Sequence, residues 1–148
     1  MPFRFRLEGI LKLRQSLEQR EELLLQKANL EVARVREEME GCLRQLAERA
    51  ASRRAQVSSG AFASELHFEL AVEASIEQRR QALGAELKKL EAVRDQQRER
   101  YEKARRERET LASIRRREQE RYRAQAQRSA QRALDDLMLM RRELLRRG

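Results

Sequence analysis

From Leu7 onward the apolar residues recur mostly at steps of three and four: Ile10, Leu13, Leu17, Leu24, Ala28, Val32, Val35, Met39, Cys42 and Leu46. That spacing keeps one face of an α-helix apolar and predicts a coiled-coil seam. The step from Leu24 through Ala28 to Val32 is four plus four, which predicts a stutter in the heptad repeat. The pattern then fades into Val57-Ser58-Ser59-Gly60, where glycine permits positive φ and the serines can bond nearby backbone, so a tight turn is expected. A second seam follows: Leu66, Leu70, Leu83, Leu87, Leu90, Arg94, Gln97, Tyr101, Ala104, Arg108 and Leu111. Its middle keeps the period while carrying polar residues. After a four-plus-four step at Glu118, Tyr122 and Ala126, it resumes as Ala130, Ala133, Leu137, Met140 and Leu144.

These periods predict an all-α chain of two long helices, folded back as an antiparallel coiled-coil hairpin with unequal arms. Residues 1–148 form a single domain on this reading, with helix one at about 5–56, the hairpin tip at about 57–62 and helix two at about 63–146. The longer second arm would leave an overhang to project alone, bend back or be covered by a partner. A polar helix without a partner is marginal in water, since most helical stability in proteins comes from burying an apolar face. Arg94, Arg108 and Arg115 at seam positions fit a stretch that awaits a partner, although arginine stems also lie along seams with their heads in solvent.

Composition supports long helices. Of 148 residues 40% are charged and only 4% aromatic, and the one proline is Pro2, so proline forbids helix nowhere after it. The net charge of +9 points to acidic partners, which could be nucleic acid, an anionic membrane or a protein. Acidic residues are interspersed almost throughout, as on a solvated helix face rather than a dedicated polyanion-binding tail. A single cysteine, Cys42, excludes an intramolecular disulfide, and no secretory or membrane-spanning apolar run occurs, so a cytoplasmic protein is expected.

Candidate chemistry is sparse. The five glycines stand far apart and make no phosphate loop. One histidine, His67, and one cysteine cannot supply a metal cluster. Asp135 and Asp136 are adjacent and point to different sides of a helix, which disfavours an acid–base pair. No enzyme activity, cofactor or metal is expected. The densest basic run, Arg98 to Arg123, holds eleven Arg or Lys against six Glu. Nucleic-acid binding there is disfavoured, because Tyr101 and Tyr122 sit at seam positions and read as packing groups rather than base-stacking platforms. An amphipathic membrane helix is disfavoured too, since the apolar faces are narrow and lack tryptophan.

The opening Phe3-Arg4-Phe5-Arg6-Leu7-Glu8-Gly9-Ile10-Leu11-Lys12-Leu13-Arg14 resembles the start of the bacterial flagellar export protein FliJ family. The run Ala133-Leu134-Asp135-Asp136-Leu137-Met138-Leu139-Met140-Arg141-Arg142 resembles that family's C-terminal segment. The resemblance implies a non-enzymatic, stalk-like adaptor of type III flagellar export, akin to the central stalk of rotary ATPases. It would bind the hexameric export ATPase and promote its assembly, contact the export gate protein FlhA and escort export chaperones. It would then sit in the cytoplasm, peripheral to the inner face of the cell membrane at the flagellar base.

By position, the family's gate-contacting surface falls on Leu46, Arg49 and Arg53 of the first helix and on Phe68, Val72, Ser75 and Arg79 of the second. Phe68 either contacts the gate or packs beneath the tip. Two other readings stay open: the equivalent stalk of a virulence-type secretion system, and a basic coiled coil that binds nucleic acid through Arg98 to Arg123.

Overall fold

A computed structural model describes residues 2–148; Met1, the first residue of the expected domain, lies outside them. Two helices account for nearly all of the chain: α1, Glu8–Ser58, of 51 residues, and α2, Ala63–Arg147, of 85. The chain is an all-α helical hairpin, and the described residues include no strand.

Helix α1 begins at Glu8 rather than near residue 5. Phe5 precedes it, buried, and accepts at its carbonyl the hydrogen bond from the Glu8 N–H at 3.3 Å. The helix also runs two residues further than expected, to Ser58, and Gly60 ends it. At φ +84° Gly60 accepts the left-handed conformation that lets its N–H bond the Val57 carbonyl at 3.3 Å and the Ala61 N–H bond the Gln56 carbonyl at 3.0 Å. These are the two bonds of a Schellman stop, which satisfy the last carbonyls of α1. No space constraint adds to this, since a Cβ on Gly60 would meet nothing within 4 Å. Gly60→Ala is therefore expected to lower stability by about 1–2 kcal/mol through conformation alone, read as a fall in thermal midpoint.

The chain packs as two compact units, Met1–Glu18 with Lys103–Gly148 and Gln19–Glu102. In the second unit α1 and α2 run antiparallel, as the ion pairs Arg36–Glu91 at 2.7 Å and Arg49–Glu69 at 2.9 Å show by their opposed numbering. Its core is the buried cluster Val35, Cys42 and Leu83, against which Met39, Ile76, Leu87 and Leu90 pack. In the first unit Phe5 and Leu11 are buried, and the helices are joined by Arg108 to Glu18, Arg14 to Glu107 and Arg115 to Glu8.

The burial pattern corrects the expected register of α1. Ile10, Leu13 and Leu24 are 47%, 58% and 42% exposed, whereas Leu11 and Val32 are buried. One line of buried and half-buried positions runs through Leu11, Arg14, Glu18, Glu21, Leu25, Ala28, Val32, Val35, Met39, Cys42, Leu46, Arg49, Arg53 and Gln56, with Glu31, Glu38, Gly41 and Ala50 half-buried beside it. The steps along that line alternate three and four without interruption, so α1 has no stutter. The apolar positions alone suggested one because this repeat passes through Arg14, Glu18 and Glu21, and the nearby leucines lie one residue off it. Leu17 is half-buried beside this line.

Helix α2 keeps an equally regular repeat from Leu66 through Leu111, taking in Glu69, Glu73, Ile76, Arg80, Leu83, Leu87, Leu90, Arg94, Gln97, Tyr101, Ala104 and Arg108. Leu70, expected on the seam, is half exposed at 50%. Beyond Leu111 the expected seam loses its cover. Tyr122, Leu137 and Leu144 are exposed rather than buried, and every residue from Glu120 to Gly148 is exposed. Ahead of α1, the ring of Phe3 lies 5.7 Å from that of Tyr122.

Candidate partner-binding surfaces

The repeat makes the seam change character along its length. In the second unit it is apolar around Val35 and Leu83, and then reaches Gln97, the one buried polar residue among the described residues of α2. The Gln97 amide donates to the Glu21 backbone carbonyl at 3.1 Å and also to the Glu21 carboxylate. In the first unit Arg108 donates twice to Glu18, at 2.6 and 3.1 Å. A two-bonded arginine–carboxylate pair fixes geometry as well as charge, and residues of this kind at seam positions select one register.

The hydrogen bonds from Arg108 hold the Glu18 carboxyl below its ordinary pKa; partial burial opposes them, and the charges of Arg108 and Arg105 add to them. Because the folded-state value is the lower, the pair's contribution is fully present above the unfolded value and is lost as pH falls through the folded one. Acid is thus expected to destabilise the unaltered chain more than Glu18→Gln, with the two stability curves converging at low pH in denaturant melts.

The seven residues expected at the export gate all lie in the second unit but divide between two roles. Arg49 binds Glu69 at 2.9 Å, and Arg53 binds Glu73; both arginines are half-buried and tie α1 to α2. Leu46 is half-buried on the seam line, and Val72 is half-buried beside it. Arg79 is exposed and reaches Glu38 at 3.7 Å, and Ser75 is exposed. Phe68 is 67% exposed, so it does not pack beneath the tip. It lines a shallow groove with Gln56, Ser64, Glu65 and Glu69.

The turn adds Phe62, 74% exposed, and Val57, 58% exposed, neither of which the periodicity singled out as a contact residue. Their signal in the sequence was an aromatic and a β-branched residue flanking a Ser-Ser-Gly turn, where no seam can bury them. Phe62 and Phe68 are both largely exposed in the tip region, as large apolar side chains that a protein contact would cover are.

The other bare surface is the last part of α2, in the first unit. Leu134, Leu137, Met138, Leu139, Met140, Leu144 and Leu145 are 53–74% exposed. Four of them, Leu137 to Met140, are consecutive, so at 3.6 residues per turn they look out in nearly all directions. Large apolar side chains bare on a helix are ones that a partner's cover would stabilise.

Comparison with known proteins bears on which family builds such a surface. A family model described as Flagellar FliJ protein matches residues 3–144. The chain belongs to the FliJ family. The match covers both units, including the exposed end of α2. Membership makes this a flagellar export-associated protein of a non-catalytic family. No curated protein and no solved structure matches the chain. Among the described residues no helix is long and apolar enough to cross a membrane, and no group of three or more His, Cys, Asp or Glu is placed to hold a metal ion.

Proposed function

We propose that this FliJ-family chain is a stalk-like adaptor of flagellar type III export that works by binding and has no chemistry of its own. The exposed end of α2 engages the hexameric export ATPase and promotes assembly of its ring. The hairpin tip engages the export gate protein FlhA. Through these partners the protein is held at the inner face of the cell membrane at the flagellar base. Escort of unloaded export chaperones belongs to the same reading and rests on the family resemblance alone.

The observation that carries the proposal is the run from Glu120 to Gly148, helical to Arg147 and exposed at every residue. A helix that long, with seven large apolar side chains in water, gains most of its stability once a partner covers it. The tip supplies a second contact, at Phe62 and Phe68, independent of the first.

The test is oligomerisation of the purified export ATPase, followed by mass photometry with and without this protein. Ring formation at lower ATPase concentration in its presence is the expected result. An unchanged monomer–hexamer distribution over the whole titration contradicts the proposal.

A further inference from the structure

In the first unit α1 carries two lines of residues set one position apart. Leu11, Arg14 and Glu18 face α2: Leu11 is 3% exposed, Arg14 pairs with Glu107, and Glu18 accepts two hydrogen bonds from Arg108. Ile10, Leu13 and Leu17 repeat the same steps of three and four one residue earlier. At 3.6 residues per turn the second line therefore lies about 100° round the helix from the first. It is wholly apolar, yet Ile10 and Leu13 are 47% and 58% exposed and Leu17 is half-buried.

This inverts the ordinary preference, since the line turned to α2 carries Arg14 and Glu18 while the line beside it carries no charge. The ion pairs keep part of their surface in water, the side chains of Arg14 and Glu107 being 38% and 37% exposed. Pairs so placed are individually weak, and salt screens them. Against them stands the apolar area that Ile10 and Leu13 leave in water, which favours burial in proportion to its extent. Leu11 pulls the other way, because rotation would uncover it.

We propose that this part of α1 has a second packing, turned by about 100° about its own axis, in which Ile10, Leu13 and Leu17 replace Leu11, Arg14 and Glu18 against α2. The surface they meet is the half-buried line Ala104, Arg108 and Leu111. A coiled-coil helix passes from one such line to the next by taking a step of four in place of three, and Leu24, Ala28 and Val32 offer that step further along α1. The two packings present opposite chemistry to solvent, leucines in one and charges in the other. The start of α1 is then a two-position element, and any ligand that prefers one face shifts its balance.

The test is hydroxyl-radical footprinting of the full-length chain, read residue by residue by tandem mass spectrometry, with circular dichroism as the check on helix content. Three samples are compared: the unaltered chain in about 0.1 M NaCl, the variant R14Q/E18Q in the same salt, and the unaltered chain in about 1 M NaCl, where the Debye length falls to about 3 Å.

In the first sample Leu13 is expected to oxidise faster than Leu11. In R14Q/E18Q oxidation of Leu13 is expected to fall by about threefold or more while that of Leu11 rises by about threefold or more, with helix content unchanged. High salt is expected to move both rates the same way by a smaller factor. A rise at Leu11 with no fall at Leu13 means that α1 only separates from α2, which overturns the proposal. So do unchanged rates in the variant. Should the variant lose helix, the unaltered chain in high salt decides by the same two rates.

Discussion

Val35→Asp is expected to lower stability by on the order of 4–5 kcal/mol, the largest effect of any single change considered for this chain. Val35 has no exposed surface and sits in the cluster with Cys42 and Leu83, packed by Met39, Ile76, Leu87 and Leu90. A carboxylate there loses its hydration inside an apolar cluster. It either stays charged at high cost or takes up a proton, which makes the variant more stable in acid than at neutral pH. Leu24→Asp is the matched control. Leu24 is 42% exposed and off the repeat, so its substitution is expected to cost less than about 1 kcal/mol. Urea melts followed at 222 nm measure both. Similar losses for the two variants would mean that α1 packs in the register suggested by its apolar residues alone.

Phe68→Ala is expected to weaken binding to the cytoplasmic domain of the export gate protein by about 2 kcal/mol or more, about thirtyfold, with the melting curve unchanged. The ring is 67% exposed, so its removal costs the fold little and the contact surface much. Arg49→Ala and Arg53→Ala should behave the other way. Each breaks a half-buried ion pair to α2, through Glu69 or Glu73, and so loosens the tip end of the hairpin more than it alters a contact surface. Titration calorimetry beside thermal melts separates the two classes. A Phe68→Ala variant that binds normally but melts early would return this ring to a packing role.

How much of this was legible in the sequence follows from what each residue type must do. Two helices and a turn at Gly60 were readable because a glycine at positive φ and a proline-free run leave few other options. The α2 seam was readable where it is apolar, at Leu83, Leu87 and Leu90. The α1 register was not, because its repeat runs through Arg14, Glu18 and Glu21, which become interior groups only when matched with Glu107, Arg108 and Gln97. Apolarity by itself ranks Leu13 and Leu24 above those polar residues; the partner helix reverses that ranking.

At the tip, the spacing of Phe68, Val72, Ser75 and Arg79 placed four residues on a common side, but spacing alone leaves open whether a partner helix covers that side. At the far end of α2, Leu137 and Leu144 carry a perfectly regular seam signal. They are nevertheless bare, because a seam pattern states only that something should cover the helix, and α1 does not extend that far.

The most direct test of the stalk-like reading is amide hydrogen exchange along α2, with and without the cognate export ATPase. In the free protein the amides from Val35 to Cys42 and around Leu83 are expected to exchange slowly, and those from Glu120 to Arg147 quickly. Addition of the ATPase is predicted to slow exchange across residues 120–147 and leave the Val35–Leu83 core as it was. Exchange at 120–147 that stays fast in a saturated complex, or new protection confined to the tip, would contradict the account.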